Sequence, residues 1–510
     1  MSICRQNGVA LFTYKGRTFN SPVSKQSEEI IPAWYPHLKG GEYRKWYGDY
    51  DYVIHYDSTS INEMKKCAGF RHDGKEFFFR KSVTWSKTTA GPLSARINYD
   101  NTTFNTAGCC LFAPDGYENY VMALMNSKVG SLILGFLCPS LSYAPGDVMK
   151  LPVLLSDRKD QIIKVVDECI NLAREDWDSF EVSWDFQHHP LLDGVSIEQA
   201  FRKWEVESQS RFEKLKECEV TINKFFISLY GLEKELSPEV DDREITIRKA
   251  NYQRDIKSFL SFAVGCLFGR YALKGKDGVR YAGGKWNIEE YPVFCPDRDN
   301  IIPITDESYL EDDIVERLCS FLKEAYPNSS LEENLDFIAN ALEESGETSR
   351  EKVRNYFANT FFADHCSVYS VSSSGKRPIY WLFDAGKMNG FKALIYLHRY
   401  NADTIGNLRI DYLHRLQRIY ESEIGRMQDM IDHSTSGREV AQATKRREKL
   451  TKQLKECREY DEKLAHLALS RIELDLDDGV KKNYRKIQTA NDGKFYEVLS
   501  DSKSIMAKEK

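Results

Sequence analysis

No two of the fifteen prolines are adjacent, so a prolyl-prolyl-aromatic loop cannot be built anywhere in this 510-residue chain. Such a loop holds an exocyclic amine while its ring stacks on a base drawn out of the duplex, the arrangement that amino-methylation of adenine requires. Gly-x-Gly is absent too, which removes the glycine-rich turn on which a methyl-donor site would be argued. The twelve cysteines form no Cys-x-x-Cys and keep no regular spacing. In a chain this long they read as reduced, cytosolic thiols rather than zinc ligands or disulfides. Long apolar runs are missing as well: the longest, around Val129–Leu137, falls short of a bilayer. Met1-Ser-Ile-Cys-Arg-Gln6 lacks the basic-then-apolar layout of a signal peptide. The expected location is the cytoplasm, with no membrane partner.

What is present is enough for several cores, since 510 residues exceed what one hydrophobic core organises. The net charge of −6 conceals a segregation. Thirteen acidic residues stand between Thr305 and Glu347 against only Arg317 and Lys323, so the remainder carries about +5. A polyanion binder with one acidic region fits that distribution.

The expected fold is α/β and multidomain. Residues 1–29 have no clear periodicity. Residues 30–155 form an α/β module: Gly40-Gly41 permits a turn, a short helix passes through Arg44 and Tyr47, and Tyr50–Tyr56 and Glu76–Arg80 are strands. Val121–Gly135 has the three-and-four spacing of an amphipathic helix. Residues 156–235 are a helical brace, in which Ser196-Ile-Glu-Gln199 is a capping box. Residues 236–405 form an α+β domain that includes the acidic helical block and a strand at Pro378–Phe383. Residues 406–472 form an antiparallel helical hairpin turning at His433–Gly437, and residues 473–510 are a tail.

Several chemistry-bearing patterns fail on context. Gly69-Phe-Arg-His-Asp-Gly-Lys75 has Glu76 where a phosphate-binding loop needs Ser or Thr, so a tight turn fits better. Asp57…Glu63-Met-Lys65 is too short and loop-like for a metal-dependent nuclease. Cys109-Cys110 and His188-His189 are neighbours that point apart on a strand and make no natural chelate. No metal site is expected.

The strongest cluster is Lys39, Arg44, Lys45 and Trp46, three cations and an indole able to grip phosphate and stack on a base. An exposed helical turn around a buried tryptophan explains the same residues equally well. Thr84, Trp85 and Ser86 offer hydroxyls suited to base edges, or a plain polar loop. Gly40, Gly41, Lys81, Arg96 and Lys128 complete the expected DNA-binding set in this module. Arg446 and Arg447 join it from the basic face of the hairpin, a face that reads equally as solvated.

Lys39-Gly-Gly-Glu-Tyr-Arg-Lys-Trp-Tyr-Gly48, Thr84-Trp-Ser86, Asn126-Ser-Lys128 and Gly146-Asp…Lys150-Leu-Pro152 resemble the target-recognition region of PglX. PglX proteins are the adenine-specific DNA methyltransferases of BREX phage-defence systems. Phe268-Gly-Arg-Tyr271, Tyr281-Ala-Gly-Gly284, Arg377-Pro-Ile-Tyr-Trp381, Gly386–Lys392 and Asp478-Gly-Val-Lys481 resemble the C-terminal part of the same family. The Asn-Ser-Lys helix and the Gly-Asp…Leu-Pro exit are also similar to restriction–modification specificity subunits. The likeness runs from about residue 30 to the end. It implies double-stranded DNA recognition within a site-specific adenine methyltransferase, with methyl transfer on a separate catalytic half that would hold S-adenosylmethionine. This chain alone is then expected to be inactive, with that half and other BREX proteins as partners. The alternative is a protein-interaction scaffold within the defence complex.

Overall fold

The structure, a computed structural model, describes residues 4–5, 34–99, 101–114, 116–140, 142–273, 278–371 and 375–507. The unassigned N-terminal stretch lies outside them except for Cys4–Arg5. The chain is mixed α/β and divides into two units, one of residues 1–190 and 201–251, the other of 191–200 and 252–510.

The first unit holds two small sheets. Strands β1 (Cys4–Arg5), β2 (Trp34–Leu38), β3 (Tyr52–His55) and β6 (Thr103–Phe104) lie in the order β1-β3-β2-β6. β2 runs antiparallel to β3 and parallel to β6. The second sheet is antiparallel and places β4 (Ser82–Ser86) between β5 (Ala95–Asn98) and β7 (Gly108–Leu111). Val83 and Trp85 of β4 enter a core completed by helices α2 (Glu118–Asn126), α3 (Lys128–Leu137), α5 (Lys159–Asp178) and α6 (Ile197–Tyr230). Ile162, Val166 and Cys169 of α5 and Leu215, Ile222 and Phe226 of α6 share that core, so the helices expected as a brace pack with the β-module itself.

Three local expectations need correction. Glu76–Arg80 is not a strand: Lys75–Phe77 is one turn of 3-10 helix, and Phe79 takes a positive φ of 60°, so its three phenylalanines serve a loop. Arg44–Tyr47 is not helical. Trp46, at φ 74°, instead bridges Arg96 and exchanges backbone hydrogen bonds with Ala95 and Ile97 along the edge of β5. The single helix expected over Val121–Gly135 is two, α2 and α3, bent by 76°. Asn126 causes the break by clamping Ala95, donating to its carbonyl and accepting from its N–H, each at 2.8 Å. Ser127 then caps α3 by accepting from Gly130 N–H at 3.1 Å. No single described helix is long and apolar enough to cross a membrane.

In the second unit, Tyr380–Asp384, Lys392–Tyr396 and Ile302–Ile304 form a three-stranded antiparallel sheet. The acidic block is helical at Ile314–Ala325 and Leu331–Leu342. Helices His414–His433 and Gly437–Ser470 make the hairpin. The tail folds around buried Gln488, whose side-chain oxygen accepts from Val498 N–H, Leu499 N–H and Ser502 hydroxyl, all at 3.0 Å.

Candidate nucleic-acid interface

From Arg44 to Gly48 the chain turns inward. Arg44 Nη2 meets Asp176 at 3.0 Å, its Nε donates to Tyr47 carbonyl at 2.8 Å, and its guanidinium lies 4.6 Å from the Trp177 ring centroid. Asp176 is wholly buried; burial alone would raise its pKa, but Arg248 and Arg44 hold it below the usual carboxylate range. Lys45 ion-pairs with Glu219 inside the fold, and Trp46 Nε1 donates to the other Glu219 oxygen at 2.8 Å. Burial works against the Lys45 charge, yet Glu219 outweighs it and raises the lysine pKa. These three side chains are structural joints between the sheet edge and helices α5 and α6.

The other expected contacts divide in the same way. Thr84 donates to Cys109 carbonyl at 2.9 Å, Trp85 Nε1 to Tyr143 carbonyl at 2.8 Å, and Arg96 faces Asp49 at 3.4 Å, all buried. Thr84-Trp-Ser86 is thus the middle strand of a sheet rather than a polar loop. Ser86 hydroxyl donates to Gly41 carbonyl at 2.9 Å and accepts from Gly41 N–H at 2.8 Å, which occupies both polar groups of that glycine. Gly40 takes φ 76° beside Ala107 carbonyl, so its role is the turn itself. Lys128 is partly exposed, 3.9 Å from Glu244. In the second unit, Arg446 is engaged by Asp306 at 3.0 Å and Glu307 at 2.7 Å, and Arg447 donates to Gln428. The acidic block neutralises part of the basic hairpin face. Lys39, half-buried with its ammonium 4.9 Å from the Tyr52 ring, and exposed Lys81 remain at the surface.

Lys81 ends a segment whose sequence pattern predicts a turn and a strand. Between Lys65 and Lys81 six cations stand against Asp73 and Glu76, interleaved with Phe70, His72, Phe77, Phe78 and Phe79. Lys65, Lys75, Arg80 and Lys81 are exposed, and the Arg80 guanidinium lies 5.5 Å from the Phe77 ring. Arg71 is paired with Asp73 at 2.7 Å. The alternation is present in the sequence, where it overlaps the phosphate-loop-like Gly69–Lys75. The rejected Asp57…Glu63-Met-Lys65 pattern is structural here: Asp57 caps helix α1 (Ser58–Met64) by accepting from Ser60 N–H at 2.6 Å, and Glu63 pairs with Lys66 at 2.6 Å.

Beside this segment lies a cleft of about 510 Å³, lined by Tyr56, Phe70, His72, Phe78 and Phe104, with Arg71, Lys87, Asn105 and Thr106 also along it. Phe78 meets Phe104 edge to face at 4.9 Å, and Tyr56 donates its hydroxyl proton or accepts one at His72 Nε2. His37, also in the lining, has a pKa pushed down to about 4 by burial and then by Lys39, and its Nδ1 lies 2.9 Å from Thr103 Oγ1. His72 is lowered by burial, Lys75 and Lys65. Parallel pairing among the described residues joins β2 to β6 and, as an isolated bridge, Trp46 to Arg96. Neither β2 nor β6 runs through a glycine turn into a helix.

No family model matches the sequence. Among curated proteins, the adenine-specific methyltransferase PglX of Lacticaseibacillus casei (strain Zhang) is 40% identical over 474 residues, 89% of this chain and 39% of the relative. The chain matches a C-terminal part of PglX-like proteins. The adenine-specific methyltransferase BrxX of Escherichia coli O9:H4 (strain HS) is 32% identical over 504 residues, 92% of this chain and 40% of the relative. The chain thus spans about two-fifths of the length of the curated relatives it matches. A match of 89% of the chain takes in residues of both units.

Proposed function

We propose that this chain is the DNA-recognising portion of a PglX-like adenine-specific methyltransferase of a BREX phage-defence system, acting with a separate methyl-transfer half that binds S-adenosylmethionine. The observation that carries this reading is its 40% identity, over 89% of its length, to a protein named as an adenine-specific methyltransferase. The exposed cations of residues 65–81 support it, because a duplex is held chiefly through neutralised phosphates. Lys39, Lys65, Lys75, Arg80 and Lys81 form the proposed contact set, replacing the buried Arg44, Lys45, Trp46 and Arg96.

A scaffold role has one observation in its favour: Phe136 and Met149 are 78% and 79% exposed, large apolar side chains in water. Duplex binding by the purified chain, titrated from low to physiological salt, separates the two. DNA recognition requires binding that weakens steeply with salt, whereas a chain indifferent to duplex at low salt leaves only the scaffold. Methylation assays with and without a catalytic partner test the division of labour.

A further inference from the structure

The aromatic cleft has a composition that a packing defect does not explain. Tyr56, Phe70, His72, Phe78 and Phe104 are each only half-buried, so the rings around it are open to solvent rather than sealed in a core. Their mutual geometry is edge-on or tilted: Phe78 to Phe104 at 80°, Tyr56 to Phe78 at 67°, Phe70 to His72 at 45°. Rings arranged in this way meet edge to face rather than stacking in parallel, and each is half-buried, so part of its surface faces the cleft. The volume, about 510 Å³, sits within the span of small-molecule sites, roughly 300–1,000 Å³.

The polar groups point to the kind of guest. His37 and His72 are both held toward the neutral form, so the lining suits an uncharged ring. Asn105 accepts backbone N–H groups from Ala107 at 2.9 Å and Gly108 at 3.2 Å through its carbonyl oxygen, which leaves the amide NH₂ as the end available to an acceptor. Thr106 adds an exposed hydroxyl and Lys87 adds positive charge along the same lining, where a phosphate attached to the ring would be favoured, while Arg71 is already paired with Asp73.

We propose that this cleft receives a nucleobase, stacked against Phe78 and Phe104 and hydrogen-bonded by Asn105 and Thr106. The idea rests on the DNA-recognition reading for its preferred source, a base displaced from the duplex held by residues 65–81. A free nucleoside offers the same chemistry. Aromatic stacking on a base contributes enough that removing it weakens binding roughly 5- to 150-fold.

The test uses the full chain and 2-aminopurine, whose fluorescence drops when it stacks. Two probes are titrated: a duplex with 2-aminopurine opposite an abasic site, and free 2-aminopurine riboside. The variants are Phe78→Ala and Phe78→Leu, the second keeping most of the apolar volume while deleting the ring. Thermal melts confirm folding of each, and Phe78→Leu is read alone when Phe78→Ala does not fold. The expected result is quenching of the duplex probe by the native chain and its loss in Phe78→Leu, with less than about a threefold change in binding to an ordinary paired duplex. Quenching of the riboside alone, abolished by the same variant, supports the cleft with a free nucleoside as its guest. Duplex binding with no quenching, or with quenching that survives Phe78→Leu, overturns the cleft proposal and leaves DNA recognition standing. Loss of all duplex binding overturns DNA recognition, and the riboside titration then decides the cleft by itself.

Discussion

Trp46 donates its indole N–H to Glu219 at 2.8 Å while the adjacent Lys45 ammonium holds the same carboxylate, 174 positions away from it in sequence. One side chain of α6 thereby satisfies two buried donors at the edge of β5. Replacing it by glutamine leaves Trp46 an acceptor and strands the lysine charge. Breaking a buried pair in this way typically costs about 3–5 kcal/mol. Glu219→Gln is therefore expected to shift the urea midpoint down sharply, and adding Lys45→Met is expected to recover much of the loss. A Glu219→Gln chain within about 0.5 kcal/mol of native stability would contradict the buried-joint reading.

Asp178, at the end of α5, gives a pH dependence of definite sign. Burial chiefly pushes its pKa from 3.8 up to about 6, against a 2.5 Å hydrogen bond from Ser183 and with Asp185 adding repulsion. The folded chain then binds this proton more tightly than the unfolded chain. Its contribution favours folding below the unfolded value near 4 and declines as pH rises to 6. Asp178→Asn is expected to flatten stability between pH 4 and 6, measured by denaturant midpoints at each pH. An unchanged slope in that window would rule the group out as its source.

The exposed cations of the 65–81 loop predict how DNA affinity responds to salt. Each phosphate contact contributes about −0.9 to the slope of log K against log salt. Replacing Lys75 and Lys81 together by alanine is expected to reduce that slope by up to about 1.8, with little change in stability because both are exposed. Equal slopes for native and doubly substituted chains would remove this loop from the interface.

Gly130 allows the bend between α2 and α3. A Cβ there would lie 2.0 Å from Leu124 carbonyl oxygen, closer than any real contact. Gly130→Ala is expected to destabilise the chain by about 1–3 kcal/mol through forced backbone movement. Native-like thermal stability in this variant would mean the turn relaxes freely.

The legible parts of the chain were those with long repeats. Leu416, Tyr420 and Met427 on one helix and Leu450, Leu454 and Leu464 on the other keep three-and-four spacing, and all are buried in the hairpin. The strand expected over Tyr50–Tyr56 is present at Tyr52–His55, although its first three residues are all buried rather than every second one. The fate of Arg44 and Lys45 was not legible, because their partners Asp176 and Glu219 come 132 and 174 residues later. Local pattern shows that a cation is present but not whether a distant carboxylate has claimed it. The same holds for Arg446, whose partners Asp306 and Glu307 belong to the acidic block. Glu76–Arg80 misled for another reason: a run of three phenylalanines carries strand propensity, and the positive φ at Phe79 breaks it.

The ten residues 191–200 associate with the second unit although the chain returns to the first at residue 201. Leu191 carbonyl accepts from Tyr326 hydroxyl at 2.6 Å, and Ile197 N–H donates to Asn334 side-chain oxygen at 2.8 Å. A fragment begun at Tyr252 would lack these ten residues and uncover the groups they satisfy. Anyone wishing to express the C-terminal unit on its own must supply that short peptide as well, by fusion or in trans, to obtain it intact.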